Sequence, residues 1–418
     1  MDTIRLCLSL YACEPKRGSE PGVGWAWATG MAKRHETWVL TRANNRRAIE
    51  TELDRLSVPD SERPHFVWVD LPEWVQRLKQ RGLLPLFLYY LLWQFAARRT
   101  WDRTGIKVDV IHHVTFNSFV IPGVWWKRRE HVVLGPLGGM SICPTQFLRC
   151  FSWPKRCFEV LRGVSRRLCR LNPLFLRSRF WADRTIYTTE EMRQRLDDNG
   201  ERSSVLLETA VPDELVTRVS LSKRKPSRGK GFVWAGTLAG HKAGDLAIRA
   251  FALAFREEAT PPVLQMFGSG PDEGKLKKLA VKLGVSESVV FRGTVPQEEL
   301  WNEIEKSRAF VFSSVRDTSG NAALEALSLA TPVICFNHQG VSEIVNDDSG
   351  IRVQPRSYAS AVADFAAAMR HLADDPDLAE RLGSAGQRRV REEFTWKNKF
   401  DFMDRIYRSL IQTGAFDK

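Results

Sequence analysis

The 418-residue sequence predicts a two-domain α/β protein in which each domain is built on a doubly wound parallel sheet. Short apolar runs alternate with helical stretches in both halves of the chain, a pattern typical of parallel strands joined by crossover helices. A basic stretch containing proline and glycine, residues 222–231, interrupts this alternation near the middle and is the best candidate for a linker. Each half, at about 200 residues, is long enough for a core of its own.

The first half begins with a buried strand, because its apolar start lacks the basic residues and long apolar core of a signal peptide. The predicted strands are Ile4–Ser9, Thr37–Leu40, Phe66–Asp70, Val108–His112, His131–Leu134 and Asp183–Thr189, and the predicted helices include Gly22–Arg34 and Asn117–Trp126. We assign residues 1–220 to the N-terminal domain.

The second half restarts the alternation and predicts a second Rossmann-like domain over residues 221–395. Its predicted strands are Phe232–Ala235, Val263–Phe267, Val289–Phe291, Ala309–Ser313 and Val333–Phe336. Its predicted helices are Ala243–Phe255, Asp272–Leu283, Gln297–Lys306 and Gly320–Ala330. Residues 396–418 are aromatic and are predicted to be helical.

Composition argues against several classes of protein. Seven cysteines without a CxxC pair do not suggest a zinc site, so reduced thiols in a cytoplasmic protein are expected. The most apolar later stretch, Leu83–Trp93, is eleven residues long and contains Pro85. A membrane-spanning helix needs about 20 apolar residues, so none is expected.

The net charge of +13 favours an anionic partner, of which three kinds are possible: nucleic acid, anionic lipid or a phosphorylated substrate. Residues 146–180 carry nine Lys or Arg against one acid, Glu159, interleaved with bulky apolar residues. This pattern is typical of a helix that lies on an anionic membrane, but also of a solvated helix with a core-facing stripe. Segments 146–180 and 83–101 are therefore candidate membrane contacts.

Ligands of open α/β sheets bind beyond the carboxyl ends of the strands, so the loops after the second-domain strands are the place to look. In the first loop, Gly236 allows close approach of the backbone and Lys242 supplies a mobile positive charge, which suits a diphosphate; the alternative is a tight turn with a surface lysine. In the second loop, Gly268 and Gly270 leave backbone N–H groups for a ligand edge, or they simply start a helix.

The third loop carries two acids. Asp317 and Glu325 are eight residues apart, which on a helix places them about two turns apart and on roughly one side. Such carboxylates suit sugar hydroxyls and a ribose diol, while the intervening helix N-terminus at Gly320 favours a phosphate. The alternative is a turn residue and a buried glutamate. Because its neighbours are apolar, Glu325 is expected to have a specific partner.

These loops resemble a known family. The run from Asp317 through Leu324-Glu325-Ala326-Leu327 to Thr331-Pro332-Val333 resembles the donor signature of retaining family-four glycosyltransferases with the GT-B fold. Over residues 231–355 the other glycine motifs fall in the same order. The N-terminal half resembles a bacterial exopolysaccharide or lipid-linked glycan branch through residues 13–25, His112-His113-Val114-Thr115 and Gly135-Pro136-Leu137-Gly138-Gly139.

The resemblance implies two Rossmann-like domains facing each other across a cleft, with residues 396–418 forming a crossover helix that packs back on the first domain. It implies that Lys242 binds the donor diphosphate, that Asp317 binds sugar hydroxyls and that Glu325 binds the ribose. His113 is implied to contact the donor sugar, with His112 as the alternative, and together with Lys242 and Asp317 it forms the expected catalytic set. The other implied donor-binding residues are Gly22, Gly24, Gly236, Thr237, Gly268, Gly270, Ser319, Gly320 and Asn321.

The implied activity is retaining, metal-independent hexosyl transfer from a nucleotide-diphosphate sugar to a hydroxyl of a glycan or lipid-linked glycan, without a further cofactor. Expected locations are the cytoplasm and the inner face of the membrane, in cell-surface or exopolysaccharide synthesis. Two positions depart from the family: Thr237 stands where Arg is usual, and Asp317 where Glu is usual. Alternatives are a nucleotide-sugar epimerase or phosphorylase on the same fold, and a basic nucleic-acid-binding protein, although no nucleic-acid motif is recognised.

Overall fold

A computed structural model describes residues 3–17, 19–116, 118–196, 200–221, 229 and 231–413. The chain divides into two compact units. The first consists of residues 1–140, 168–208 and 396–418, and the second of residues 141–167 and 209–395. The predicted linker, residues 222–231, lies outside the described residues except for Gly229 and Gly231. Elements are numbered in chain order.

The first unit is a seven-stranded parallel sheet in the order β3-β2-β1-β4-β5-β6-β7. The order reverses between β1 and β4, as in a Rossmann sheet. The strands are β1 (Arg5–Leu10), β2 (Glu36–Thr41), β3 (His65–Trp68), β4 (Val110–Thr115), β5 (His131–Leu137), β6 (Arg184–Tyr187) and β7 (Ser203–Val205). Its helices are α1 (Ser19–Ala32), α2 (Arg46–Arg55), α3 (Glu73–Gln80), α4 (Leu86–Thr104), α6 (Pro173–Trp181), α7 (Glu190–Leu196) and α16 (Trp396–Thr413).

The second unit repeats this arrangement with six parallel strands in the order β10-β9-β8-β11-β12-β13. The strands are β8 (Phe232–Ala235), β9 (Leu264–Phe267), β10 (Val289–Gly293), β11 (Ala309–Phe312), β12 (Val333–Phe336) and β13 (Gly350–Val353). The helices are α5 (Trp153–Leu168, whose last residue is grouped with the first unit), α8 (Asp213–Leu221), α9 (Gly244–Phe255), α10 (Glu273–Lys282), α11 (Gln297–Lys306), α12 (Asn321–Ser328), α13 (Gln339–Ile344), α14 (Tyr358–Asp374) and α15 (Pro376–Glu393).

The division differs from the predicted domain boundary at residue 220 in two segments. Residues 141–167 and 209–220 pack with the second unit. Phe147 and Phe151, for example, are buried in the same apolar cluster as α9 and α14. The predicted helix Asn117–Trp126 is wrong: the described part, residues 118–126, contains no helix. Pro122 and Gly123 within it disfavour a continuous helix.

Helix α16 packs in the first unit. Phe400 contacts Trp27 edge-on, with ring centroids 5.6 Å apart, and a Cβ on Gly30 would overlap the Phe400 ring. The hydroxyl of Tyr407 lies 2.6 Å from His112 Nδ1. The aromatic residues of the C-terminal helix therefore form part of the first unit's core.

Candidate functional site

The order of the second sheet reverses between β8 and β11, so the loops that follow these two strands flank the switch point where ligands bind in such sheets. Each loop contributes one member of an ion pair. Lys242, from the loop after β8, donates from Nζ to Asp317 Oδ2, from the loop after β11. Both side chains are mostly buried, at 22% and 15% exposed. The fold thus joins two residues 75 positions apart.

The position of Lys242 is fixed by the conformation and hydrogen bonds of its backbone. It ends a 3₁₀ turn, Gly240–Lys242, and Ala243 follows in the left-handed region at φ 45° before α9 begins. The hydroxyl of Ser313 lies 2.9 Å from the carbonyl oxygens of both Lys242 and Ala243, and the indole N–H of Trp234 donates to this hydroxyl over 3.0 Å. The loop that carries the lysine is therefore fixed to the end of β11.

Gly268 and Gly270 serve close packing between loops. A Cβ on Gly268, which has φ 113°, would lie 2.0 Å from the Gly236 carbonyl oxygen, and one on Gly270 would lie 2.5 Å from that of Leu238. Leu238 N–H donates to the Ser269 carbonyl over 3.0 Å. Only glycine allows these backbones to touch. Thr237, which lies between Gly236 and Leu238 in the chain, is exposed.

Asp317 organises its own loop. Its Oδ1 accepts from the N–H groups of Ser319 (3.2 Å) and Gly320 (3.0 Å), and its own N–H donates to Gln339 Oε1 over 2.8 Å. Burial acts to raise the pKa of Asp317, but Lys242 and the two N–H groups outweigh it, so the pKa lies below its ordinary value. Asp317 precedes α12 rather than standing on it, and is both a turn residue and an ion-pair partner.

Glu325 has the specific partner that its apolar neighbours predict. Its Oε2 accepts from the indole Nε1–H of Trp301 over 2.9 Å, and its Oε1 lies 3.4 Å from Gln297 Nε2. Burial raises the pKa of Glu325, although both hydrogen bonds act in the opposite direction. Gly320 begins α12 in the left-handed region at φ 61°, with Asn321 exposed at the first position.

Several further residues at this site were not predicted. Gln339 binds the Asp317 loop and also donates to the Ile142 carbonyl over 2.8 Å. Ser141 Oγ lies 3.1 Å from Thr318 Oγ1. Arg316, next to Asp317, lies 3.4 Å from Glu159. Gln339 follows β12, so a search of the loop after β12, like that made after the earlier strands, would have found it. Ser141 and Glu159 are distant in sequence and give no such signal.

The remaining predicted residues lie in the first unit. His113 is buried, with Nε2 2.7 Å from the Tyr90 hydroxyl and Nδ1 3.0 Å from Ser9 Oγ. His112 is also buried, and its Nε2 lies 2.8 Å from the Gly135 carbonyl. Burial lowers the pKa of His112 to about 3 and that of His113 to about 4. Contact between His113 and a ligand would require these hydrogen bonds to open.

Gly22 and Gly24 lie within α1 rather than in the loop before it. A Cβ on Gly22 would lie 2.1 Å from the Arg17 carbonyl oxygen, and one on Gly24 would lie 1.9 Å from that of Ala12. Both glycines therefore let the first turns of α1 pack closely on the loop that follows β1.

The candidate membrane segments expose apolar side chains in both units. In α4, Tyr90 and Trp93 face the core, whereas a set of apolar residues in and just before this helix is exposed, with Phe87 at 61%: Leu83, Leu86, Phe87, Leu88, Leu92 and Phe95. Within the part of the chain that is described, no helix has the length and apolarity to cross a membrane. The same described residues contain no group of three or more His, Cys, Asp or Glu side chains that could hold a metal ion.

Residues 220–389 match the family described as Glycosyl transferases group 1. The D-inositol 3-phosphate glycosyltransferase of Streptomyces coelicolor is 31% identical over 194 residues, which cover 43% of this chain and 40% of that protein. The glycogen synthase of Mycobacterium tuberculosis is 29% identical over 192 residues, covering 46% and 45%. The chain spans about half or less of the length of the curated relatives it matches.

Solved structures resemble the chain over nearly its whole length. Anabaena HepE in complex with UDP has a TM-score of 0.58 at 15% identity, covering 97% of this chain and 99% of that one. A glycosyltransferase from Rickettsia africae has a TM-score of 0.63 at 14% identity, covering 99% and 100%. At such identities the likeness shows the fold. The prediction of a GT-B fold with two Rossmann-like sheets and a C-terminal helical region is confirmed.

Proposed function

We propose that this protein is a retaining glycosyltransferase that moves a sugar from a nucleotide-diphosphate donor to a hydroxyl acceptor. The proposal rests on the Lys242–Asp317 pair at the switch point of the second sheet, within the segment that matches group 1 glycosyltransferases. At the carboxyl ends of these strands, the lysine offers a positive charge for a diphosphate and the carboxylate offers oxygens for sugar hydroxyls.

Lys242 neutralises the diphosphate in this proposal. A lysine ammonium has three N–H donors, so one can stay on Asp317 while another reaches a phosphate oxygen. Because Thr237 replaces the usual arginine, Lys242 and the N-terminus of α12 supply the stabilisation of the leaving group. Asn321 offers its N–H directly, and Ser319 and Gly320 offer theirs once these exchange from Asp317 Oδ1 to the ligand. The N–H groups of Gly236 and Gly268 already donate to the carbonyls of Phe267 and Gly293, so Gly236, Gly268 and Gly270 contribute to the proposed donor set through close packing of these loops rather than as free N–H donors.

Asp317 and Glu325 orient the sugar part of the donor. The lowered pKa of Asp317 keeps its carboxylate ionised as an acceptor for sugar hydroxyls. Trp301 orients Glu325 through Oε2. The other oxygen, Oε1, can bind the ribose diol when the diol replaces its 3.4 Å contact with Gln297. His113, Gly22 and Gly24 are the first-unit residues of the proposed donor set.

In the proposed reaction, the bond between the anomeric carbon and the diphosphate oxygen breaks and a bond to the acceptor oxygen forms on the same face. The acceptor's hydroxyl proton passes to the departing diphosphate. Positioning and charge stabilisation at the leaving group supply the rate enhancement, so we propose that no metal ion takes part.

The proposed acceptor is a glycan or a lipid-linked glycan at the inner face of the cytoplasmic membrane, in cell-surface or exopolysaccharide synthesis. The exposed apolar residues of α4 support the lipid-linked form, because Phe87 and its neighbours offer a contact for a lipid chain. The Rhizobium meliloti lipopolysaccharide core glycosyltransferase LpsD is 29% identical over 141 residues, which supports a surface-glycan role.

The test begins with thermal shift of the protein against UDP, GDP, ADP and their sugar conjugates, since a ligand that binds only the folded state raises the Tm. With the donor that binds, transfer to a lipid-linked or soluble glycan is followed by NMR of the anomeric proton in the presence of EDTA. Retained configuration and activity in EDTA are expected. An inverted product would sink the retaining mechanism, and activity lost in EDTA and restored by a divalent cation would sink metal independence.

Incubation with donor alone separates the rival activities. A transferase consumes the donor only when an acceptor is supplied, whereas an epimerase converts the donor without one. A phosphorylase would require inorganic phosphate or release a sugar phosphate. Binding to duplex DNA without any thermal shift by nucleotide sugars would favour a nucleic-acid-binding protein instead.

A further inference from the structure

Helix α5 presents its polar face to the second unit and its apolar face to solvent. On the inner side, Glu159 and Gly163 are buried. Glu159 Oε1 lies 3.4 Å from Arg316, and a Cβ on Gly163 would contact the Ile142 side chain at 3.5 Å. A helix of a globular protein normally turns its apolar stripe towards the core. The orientation of α5 is the reverse.

The outer side carries large apolar residues at helical spacing. Trp153 is 75% exposed, Leu161 is 68% exposed and Leu168 is 59% exposed, with Val160 and Val164 between them. At 3.6 residues per turn these five side chains form one continuous stripe along the helix. A contiguous apolar surface of this kind is unfavourable in water and marks a surface that is covered by a partner.

Basic residues border the stripe on both edges. Helical geometry places Arg156 and Arg167 along one edge, and Lys155 and Arg162 along the other, beyond Phe158. The one acid of α5, Glu159, is on the buried face, so every exposed charged side chain of the helix is basic. An apolar stripe between cationic edges fits a surface with an apolar interior and anionic headgroups.

We infer that α5 is a docking helix for an anionic membrane, with the stripe from Trp153 to Leu168 inserted among the acyl chains and the flanking Lys and Arg on the phosphates. This deepens the membrane location in the proposed function by naming the helix that binds lipid, and it is tested separately because lipid binding by α5 needs neither donor nor acceptor. A second copy of the chain is a poorer fit. A two-fold contact through the stripe would bring the basic edges of both copies together without an anionic counterpart.

The test is flotation of the full chain with vesicles of phosphatidylcholine alone and with added phosphatidylglycerol, at low and high salt. We expect binding that requires phosphatidylglycerol and weakens with salt. Leu161→Asp/Val164→Asp and Lys155→Glu/Arg167→Glu should each weaken it about tenfold or more. The matched controls lie on α10 of the same unit, where Val281 is 67% exposed: Val281→Asp and Lys278→Glu/Lys282→Glu should bind as wild type.

Three outcomes would overturn the inference. They are binding to neither vesicle, binding that is equal with and without phosphatidylglycerol, and a dimer in analytical ultracentrifugation that Leu161→Asp/Val164→Asp dissociates. None of the substituted side chains belongs to the proposed donor set, and the readout is lipid binding, so failure here would leave the thermal shift by nucleotide sugars unaffected. Unfolding curves of each variant confirm that the helix is tested in a folded protein.

Discussion

The ammonium of Lys242 and the carboxylate of Asp317 form an ion pair that joins the loops after β8 and β11, the two neighbouring strands at which the order of the second sheet reverses. The same carboxylate accepts from the N–H groups of Ser319 and Gly320, so one side chain ties the lysine to the start of α12. This relationship makes the proposed donor site a rigid arrangement of charge rather than two separate side chains.

Replacing Lys242 tests the proposed diphosphate contact. Lys242→Ala should lower kcat for sugar transfer about 100-fold or more, because the leaving diphosphate loses a preorganised positive charge. The thermal shift with the nucleoside diphosphate should also disappear. Lys278→Ala, on the exposed side of α10, is the control and should retain both. Full activity in Lys242→Ala would refute the assignment.

Glu325 is expected to act on the nucleoside part of the donor. Glu325→Gln keeps the size of the side chain but removes its charge, and a hydrogen bond to a charged group contributes about 1.5–3 kcal/mol. We therefore expect KM for the donor to rise about tenfold to 100-fold, with a smaller change in kcat. Trp301→Phe removes the indole donor that orients Glu325, and should raise the same KM to a lesser extent. A rise in acceptor KM alone would contradict this role.

The glycine loops give a stability prediction with an internal control. Gly270→Ala places a Cβ against the backbone of Leu238, and should lower the free energy of unfolding by about 2 kcal/mol or more and weaken donor binding. At Gly274, near the start of α10, a Cβ would meet no atom within 4 Å outside its chain neighbours and the helix's own backbone. Gly274→Ala should therefore be neutral or stabilise by about 0.5–1 kcal/mol. Equal effects in urea unfolding would show that the loops do not touch as described.

His113 offers a choice between a structural and a ligand-binding role. His113→Phe breaks buried hydrogen bonds to Tyr90 and Ser9, so we expect a loss of about 1–3 kcal/mol in unfolding free energy. His112→Phe, which breaks bonds to Tyr407 and Gly135, is the matched variant. If His113 contacts the donor sugar, its variant alone should lose kcat at a temperature where both variants are folded. Equal activity of the two folded variants would exclude the contact.

Lys399 makes stability depend on pH. Its side chain is buried in α16 and donates to the Leu207 carbonyl; burial lowers its pKa to about 7, while Glu208 acts in the opposite direction. A lysine in the unfolded chain keeps a pKa near about 10.4. Between these values the unfolded state binds more protons, so stability should rise with pH.

The expected gain from pH 7 to 8.5, relative to Lys399→Met, is about 1–2 kcal/mol in urea unfolding. Comparison of the two proteins cancels the contribution of the other titrating groups. Lys397→Met, on the exposed side of the same helix, should follow the wild-type slope. A pH slope that is unchanged in Lys399→Met would show that the ammonium is not buried in the folded protein.

The sequence predicted the second unit closely. Phe232–Ala235, Gln297–Lys306 and Val333–Phe336 have the predicted bounds, because buried parallel strands and their crossover helices differ sharply in apolar pattern. The first unit was less regular. Its segment 118–126 buries Phe119 and Trp125 without forming a helix, since Pro122 and Gly123 within it disfavour one.

The order of residues along the chain is enough to tell which side chains follow the strands, and parallel strands present their carboxyl ends at one edge. The sequence did not tell which strands are neighbours; the structure places β8 beside β11, and this brings Lys242 and Asp317 together. Three other features came from three-dimensional packing: Trp301 as the partner of Glu325, the burial of His113, and the outward apolar face of α5. A periodic pattern shows that a helix has an apolar face, but only contact with other elements determines which face is covered.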